Sequence, residues 1–439
     1  METLTNALAI FFLLHLCWSY YWNCFRRGYT MDVWHFSLAN MAFIIHFMLP
    51  FARSRLNFIA VGALVTRTEA YANEAYLISA LGYVSVLVGG TFWRLNLGLG
   101  MRRYFAELLE IPSRGSLMLL RSKSLLVAHG ILAIMILGGV VLYYFSLSGF
   151  GFNLRGLLLT YPALRPIAQF SAFYSVLIGS HCLARFTVSK ESSMLVIVGM
   201  IASLLLFFGE RTNILALAFL TVIVGMVKLG RRLRIVYLVG GIATVFVALF
   251  LLNALRDINF TFQGAIAKFG IELLYGNSFS DTRDFALVLS FWDGHYFHGL
   301  TYLAGLLAFI PRALSSFRDT WAIGVVTATM AGYDPTQHSG LRVGAFGEAF
   351  FNFGLTGVIL LGLFVGASVR FVDLRMKQAL KFLSPSSPKV YAYYMILTFL
   401  TVLQTSVVAS ALYSIVAILL GSWIFLRVAN VLKLSDAGV

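Results

Sequence analysis

Long apolar stretches alternate with short polar connections from one end of the chain to the other. Apolar runs near 4–22, 34–51, 73–93, 125–147, 167–184, 193–209, 212–227, 235–255 and 344–368 each have about the length a helix needs to cross a hydrocarbon core of roughly 30 Å. The stretch from Val390 to Leu426 is too long for one crossing and divides near Ser406 into two, giving about eleven spans. These runs are continuous rather than alternating apolar and polar, which argues against a membrane β-barrel. The predicted fold is therefore all-α, a polytopic transmembrane helical bundle. It has transmembrane helices over 1–255, one long outer loop region over 256–343, and further transmembrane helices over 344–439. The first run, Leu4 to Trp22, lacks a preceding basic segment and a small-residue cleavage site, which predicts a retained span rather than a removed signal peptide.

Composition agrees with the pattern. Of 439 residues 59% are hydrophobic and only 12% charged, with a mean hydropathy of +0.85. A soluble domain carries roughly 25% charged residues, so this chain lacks the polar surface to cover itself in water. The net charge of +15 would suggest nucleic acid if it were gathered on a polar domain, but the basic residues sit mostly in short connections, where they set membrane orientation. One set of connections holds Arg26 and Arg27, the residues from Arg94 to Lys123, Arg185 and Lys190, Lys228 to Arg234, and Arg370 to Lys389. The alternate connections are poor in Lys and Arg. The first set is accordingly expected on the cytoplasmic side, which places the N-terminus and the stretch from Arg256 to Arg342 outside and the C-terminus inside. Cys17, Cys24 and Cys182 lie in or beside apolar runs and suggest no disulfide framework. The basic segment Arg102 to Ser124 reads as an interfacial anchor on anionic lipid.

Polar chemistry concentrates in the outer stretch. Within it Tyr296 to Ile310 is apolar but too short to cross and is ended by Pro311, which predicts an interfacial or re-entrant helix. Arg211, in Gly209-Glu210-Arg211-Thr212-Asn213, stands between two runs at the outer face, either paired with Glu210 or gripping a phosphate. His338 can act as a base of near-neutral pKa on the segment entering the span near 344, with Arg342 holding an anion beside it; a solvated loop histidine is the plainer alternative. Glu348 lies within an apolar pattern, so it pairs with an arginine or faces a polar cavity. Arg312 emerges after Phe309-Ile310-Pro311, where snorkelling also accounts for it. Asp293, His295 and His298 offer a carboxylate and two imidazoles, but no third well-placed metal ligand accompanies the histidines. Walker loops, dinucleotide glycine fingerprints and nucleophile elbows are missing from the sequence. Several arginines, a histidine and a carboxylate at one face suggest an anionic, lipid-linked substrate. Arginines can neutralise a departing pyrophosphate without metal or other cofactor.

The ordered set Gly209-Glu210-Arg211-Thr212-Asn213, Phe309-Ile310-Pro311-Arg312, His338-Ser339-Gly340 and Gly347-Glu348-Ala349-Phe350-Phe351-Asn352-Phe353-Gly354 resembles Wzy-type O-antigen polymerases. The resemblance runs from about Ser193 to Val369. It implies a GT-C-like glycosyltransferase of the bacterial inner membrane, working at the periplasmic face. Its expected substrates are undecaprenyl-pyrophosphate-linked oligosaccharides, and a flippase and a chain-length regulator of the same pathway are its expected partners. By the resemblance Arg211 and Arg312 contact pyrophosphate or sugar, His338 is the base and Glu348 lines the cavity. Arg283, with Gly294, matches the family's Arg-x10-Gly loop pattern once, where the family has two such loops. Two other readings share these features: an O-antigen ligase acting on lipid A core, and a transporter or flippase that moves the lipid-linked sugar without chemistry.

Overall fold

The computed structural model describes residues 2–21, 63–92, 119–120, 122–148, 165–189, 191–208, 281–307, 310, 314–335 and 340–382. Among these residues the regular structure is helical and no strand occurs. The helices are α1 (Glu2–Tyr21), α2 (Ala63–Phe92), α3 (Lys123–Ser148), α4 (Arg165–Ser189), α5 (Ser192–Phe208), α6 (Asp281–Ser290), α7 (Leu300–Leu306), α8 (Ser316–Trp321), α9 (Ile323–Met330) and α10 (Gly344–Phe382). Among the described residues three stretches are long and apolar enough to cross a membrane: Thr68–Thr91, Lys123–Leu147 and Gly344–Phe371. The expected spans near 34–51, 212–227, 235–255 and 390–426 lie outside the described residues.

The chain forms two compact units. One comprises Met1–Gly100, Gly270–Leu374 and Phe399–Ile415; the other comprises Met101–Phe269, Arg375–Thr398 and Val416–Val439. In the second unit α3, α4 and α5 pack on one another through Leu126, Ala133 and Leu137 of α3, Ala172 and Val176 of α4, and Ile197 and Ile201 of α5. Those residues recur every four or seven positions, the period of a helix with one packed face. Large apolar side chains such as Met135 and Leu142 stand on the outside of α3, a distribution suited to lipid contact. At one end Glu191 bridges Lys123 (3.1 Å) and Arg185 (3.4 Å), and Arg185 also donates to the Leu120 carbonyl. The start of α3, the end of α4 and the start of α5 therefore share that end.

In the first unit α2 begins well before the expected start near residue 73. Its early polar positions are accommodated by a neighbour: the Thr5 hydroxyl of α1 donates to Asn73 Oδ1 at 3.1 Å. Further along, α2 and α10 meet backbone to backbone. A Cβ on Gly362 would lie 2.6 Å from the Gly82 carbonyl oxygen, and one on Gly366 would collide with that of Val86. Small residues allow such close helix contact where lipid leaves no hydrophobic driving force between helices. Helix α6 packs on α2 and also reaches the first turns of α10, where Phe285 meets Phe351 edge to face at 5.5 Å.

Candidate functional site

Helix α10 is interrupted soon after it starts. Phe353 (φ −138°, ψ 15°) and Gly354 (φ 63°, ψ −154°) leave the helical region, so the carbonyls just before them lose the regular helical ladder. Those of Phe351 and Asn352 accept instead from the backbone N–H groups of Phe297 (2.9 Å) and His298 (3.1 Å). A Cβ at Gly354 would stand 3.0 Å from the Tyr296 hydroxyl, so glycine suits both the left-handed backbone and the close approach. This docking corrects the expected helix over Tyr296 to Ile310. Residues 296–299 are spent on the broken turn, His298 takes φ 50°, and α7 covers only Leu300–Leu306.

A buried polar array fills the break. Glu348 and Asn352 are both fully buried, and Thr301 is nearly so. Asn352 Nδ2 donates to Thr301 Oγ1 at 2.6 Å and to the Glu348 carbonyl at 2.8 Å, while its Oδ1 accepts the Gly299 N–H at 2.9 Å. The Thr301 hydroxyl passes its proton's hydrogen bond on to Glu348 Oε1 at 3.1 Å. One asparagine thereby satisfies three polar groups that would each carry a desolvation cost. The Tyr302 hydroxyl, on the same short helix, is buried without a hydrogen-bond partner among the described residues.

A second cluster stands where the chain enters α10. Asp284, 4% exposed, accepts from Arg283 Nε (2.9 Å) and Nη2 (2.7 Å) through Oδ1 and from the Arg342 backbone N–H (3.2 Å) through Oδ2. Arg342 itself is exposed. Asp281 lies against the first residue of α10, where a Cβ on Gly344 would be 3.6 Å from its own Cβ. Burial pushes the Asp281 carboxyl up to about 7; the Arg342 charge opposes this and the Asp284 charge adds to it. On the other side of the entering segment the Thr327 hydroxyl accepts the Leu341 N–H at 3.0 Å and donates to the Leu341 carbonyl at 3.2 Å.

Of the residues singled out in the sequence, Glu348, Arg342 and Arg283 belong to these two clusters, both in the first unit. Arg211, Arg312 and His338 lie outside the described residues. Asp293 and His295 pair at 3.2 Å in an exposed turn, where the His295 N–H holds the Asp293 carboxyl below its usual range. Among the described residues no group of three or more His, Cys, Asp or Glu is arranged to hold a metal ion. Thr301, Asn352, Asp284 and Thr327 carried no assigned role in the sequence. Asn352 had a visible signal, a polar residue just before Phe-Gly inside an apolar run; Thr327 had none. No family model, no curated protein and no solved structure matches the chain.

Proposed function

We propose that the chain is a membrane-embedded glycosyltransferase, an O-antigen polymerase of the Wzy type with a GT-C-like bundle of about eleven spans. It moves a growing glycan from undecaprenyl pyrophosphate onto a new lipid-linked repeat unit at the outer face of the bacterial inner membrane. The supporting observation is the crowding of ionisable and polar groups at one end of a single long apolar helix. Exposed Arg342 stands two residues before α10, and buried Glu348 and Asn352 lie within its first turns. A transporter is expected to carry such groups near the bilayer midplane, whereas an enzyme that works on a headgroup needs them at one face.

In this reading Arg211 with Arg312 or Arg342 neutralises the donor pyrophosphate, and His338 receives the proton of the acceptor hydroxyl. The acceptor oxygen forms the new bond to the anomeric carbon as the bond to the pyrophosphate oxygen breaks, inverting the configuration. The electron pair leaves on undecaprenyl pyrophosphate. Glu348 shapes the cavity, with Thr301 and Asn352 holding its orientation. Neither metal nor cofactor is required by this scheme.

Purified protein supplied with lipid-linked repeat units should yield a polymer ladder and released undecaprenyl pyrophosphate. Arg211→Ala and His338→Ala should each lower the rate by roughly 10²-fold or more. Unchanged rates in both variants, with the protein correctly inserted, overturn these assignments. Transfer to lipid A core in place of chain growth identifies a ligase, and absence of carrier release with retained translocation identifies a transporter.

A further inference from the structure

We propose that Tyr302 and Phe353 form a sugar subsite beside Glu348, in which the Tyr302 hydroxyl donates to a hydroxyl of the lipid-linked glycan and the Phe353 ring packs on a face of the same sugar. This inference rests on the proposed function for the presence of a glycan, and on geometry for the place. Helix α7 is tied to the break in α10 by the Gly299 N–H and the Thr301 hydroxyl, which meet Asn352 and Glu348. Those bonds fix Tyr302, the next residue on α7. Its hydroxyl is sealed from solvent, yet no group among the described residues bonds it. A buried hydroxyl left unbonded carries a desolvation cost, which a ligand hydroxyl arriving at that spot relieves.

The ring of Phe353 covers this part of α7. It lies 5.9 Å from the Tyr302 ring at 47°, and a Cβ on Gly299 would come within 2.9 Å of its tip. Yet it is 46% exposed, on a residue that leaves the helical region. An exposed aromatic face beside a buried carboxylate and an unmet donor suits a sugar: the C–H face of the ring packs on the aromatic side chain while the polar groups take the hydroxyls. Burial, and then the Glu348 charge, hold the Tyr302 hydroxyl above its ordinary pKa, so it remains a donor. Depth agrees. At a rise of about 1.5 Å per residue, the helix from Gly354 to Arg370, the first charged residue after the break, spans roughly 24 Å. That is most of a hydrocarbon core, so the break stands near the level of the headgroups, where a lipid-linked sugar sits.

Binding to the purified full chain in detergent is measured for two probes, undecaprenyl pyrophosphate bearing one repeat unit and undecaprenyl pyrophosphate without sugar, alongside melting temperature and the KM of the polymerisation assay. The wild type should bind the sugar-bearing lipid more tightly. Tyr302→Phe, which removes one oxygen, should weaken its binding roughly tenfold, the effect of about one lost hydrogen bond, and leave the bare carrier unchanged. The melting temperature of this variant should equal or exceed that of the wild type, because the unmet hydroxyl is gone. Phe353→Leu keeps apolar bulk and loses the aromatic face; it should weaken the sugar-bearing lipid about fivefold, and Phe353→Tyr should retain affinity. A structural role for the hydroxyl instead lowers the melting temperature of Tyr302→Phe, and that result overturns the proposal. So does wild-type affinity for the sugar-bearing lipid in either Tyr302→Phe or Phe353→Leu. Equal losses on both probes, which mark a headgroup contact, or a wild type without preference between them, overturn it as well. The expected pattern with no glycosyl transfer by the wild type refutes the polymerase reading and leaves the subsite standing. Polymerisation by the wild type with affinity and KM unmoved in the variants does the reverse.

Discussion

Asn352 is the residue on which the buried array turns. It is fully buried beside a carboxylate, and its amide meets the backbone of the 296–299 segment, the hydroxyl of Thr301 and the carbonyl of Glu348 at once. Asn352→Ala strands the Gly299 N–H and one lone pair of Thr301, and is expected to cost about 2 kcal/mol or more in unfolding free energy, measured by denaturation in detergent. Thr301→Val keeps the shape but removes the donor to Glu348; about 1–3 kcal/mol is expected. A melt equal to the wild type for Asn352→Ala would show that the array is not a source of stability. Asp281 makes the pH dependence specific. Its folded pKa of about 7 lies above the ordinary 3.8, so the folded protein holds the proton more tightly between those values. Its contribution to stability is complete below pH ~4 and is lost as pH rises through about 7. Asp281→Asn should flatten that decline in melting temperature against pH, and an unaltered slope would remove Asp281 as its cause.

At the scale of elements, α10 combines a span with a break, and the break is what brings other parts of the chain to it. Residues 297 and 298 dock on carbonyls that an unbroken helix would have used internally. Gly354→Ala places a side chain at φ 63° and 3.0 Å from the Tyr296 hydroxyl, and should destabilise the docked segment by about 1–2 kcal/mol. Faster hydrogen exchange at the amides of Phe297 and His298 is the direct readout. The sequence showed the glycine inside an apolar run, yet the run alone suggested a continuous helix. It also suggested a longer helix from Tyr296, because apolar content cannot reveal that the N–H groups of Phe297 and His298 go to a neighbour. Elsewhere the element boundaries follow composition closely: the runs near 125–147 and 193–209 correspond to Lys123–Ser148 and Ser192–Phe208. A bilayer-length helix satisfies its own backbone, and that requirement is local.

For the whole molecule, the orientation proposed from the distribution of charge is open to a direct test. Replacing Cys17, Cys24 and Cys182 with serine and introducing His295→Cys, at an 88% exposed side chain, should give a site labelled in intact cells by a membrane-impermeant thiol reagent. Lys123→Cys, 55% exposed at the end bridged by Glu191, should be labelled only after the membrane is opened. The reverse pattern would invert the proposed topology and move the site to the other face. The compact units are each assembled from three separate stretches of chain, which division by position along the sequence does not express. Periodicity and hydropathy by themselves determined that the chain is helical, where several helices begin and end, and that polar chemistry gathers before α10, because each depends on residues a few positions apart. Only the tertiary structure decided that Thr301 serves Glu348 across 47 residues, and that Asp284 holds Arg342 across 58. Those pairings depend on which helices pack together and where α10 breaks, and a hydrogen bond of about 3 Å is set by that packing rather than by spacing along the chain.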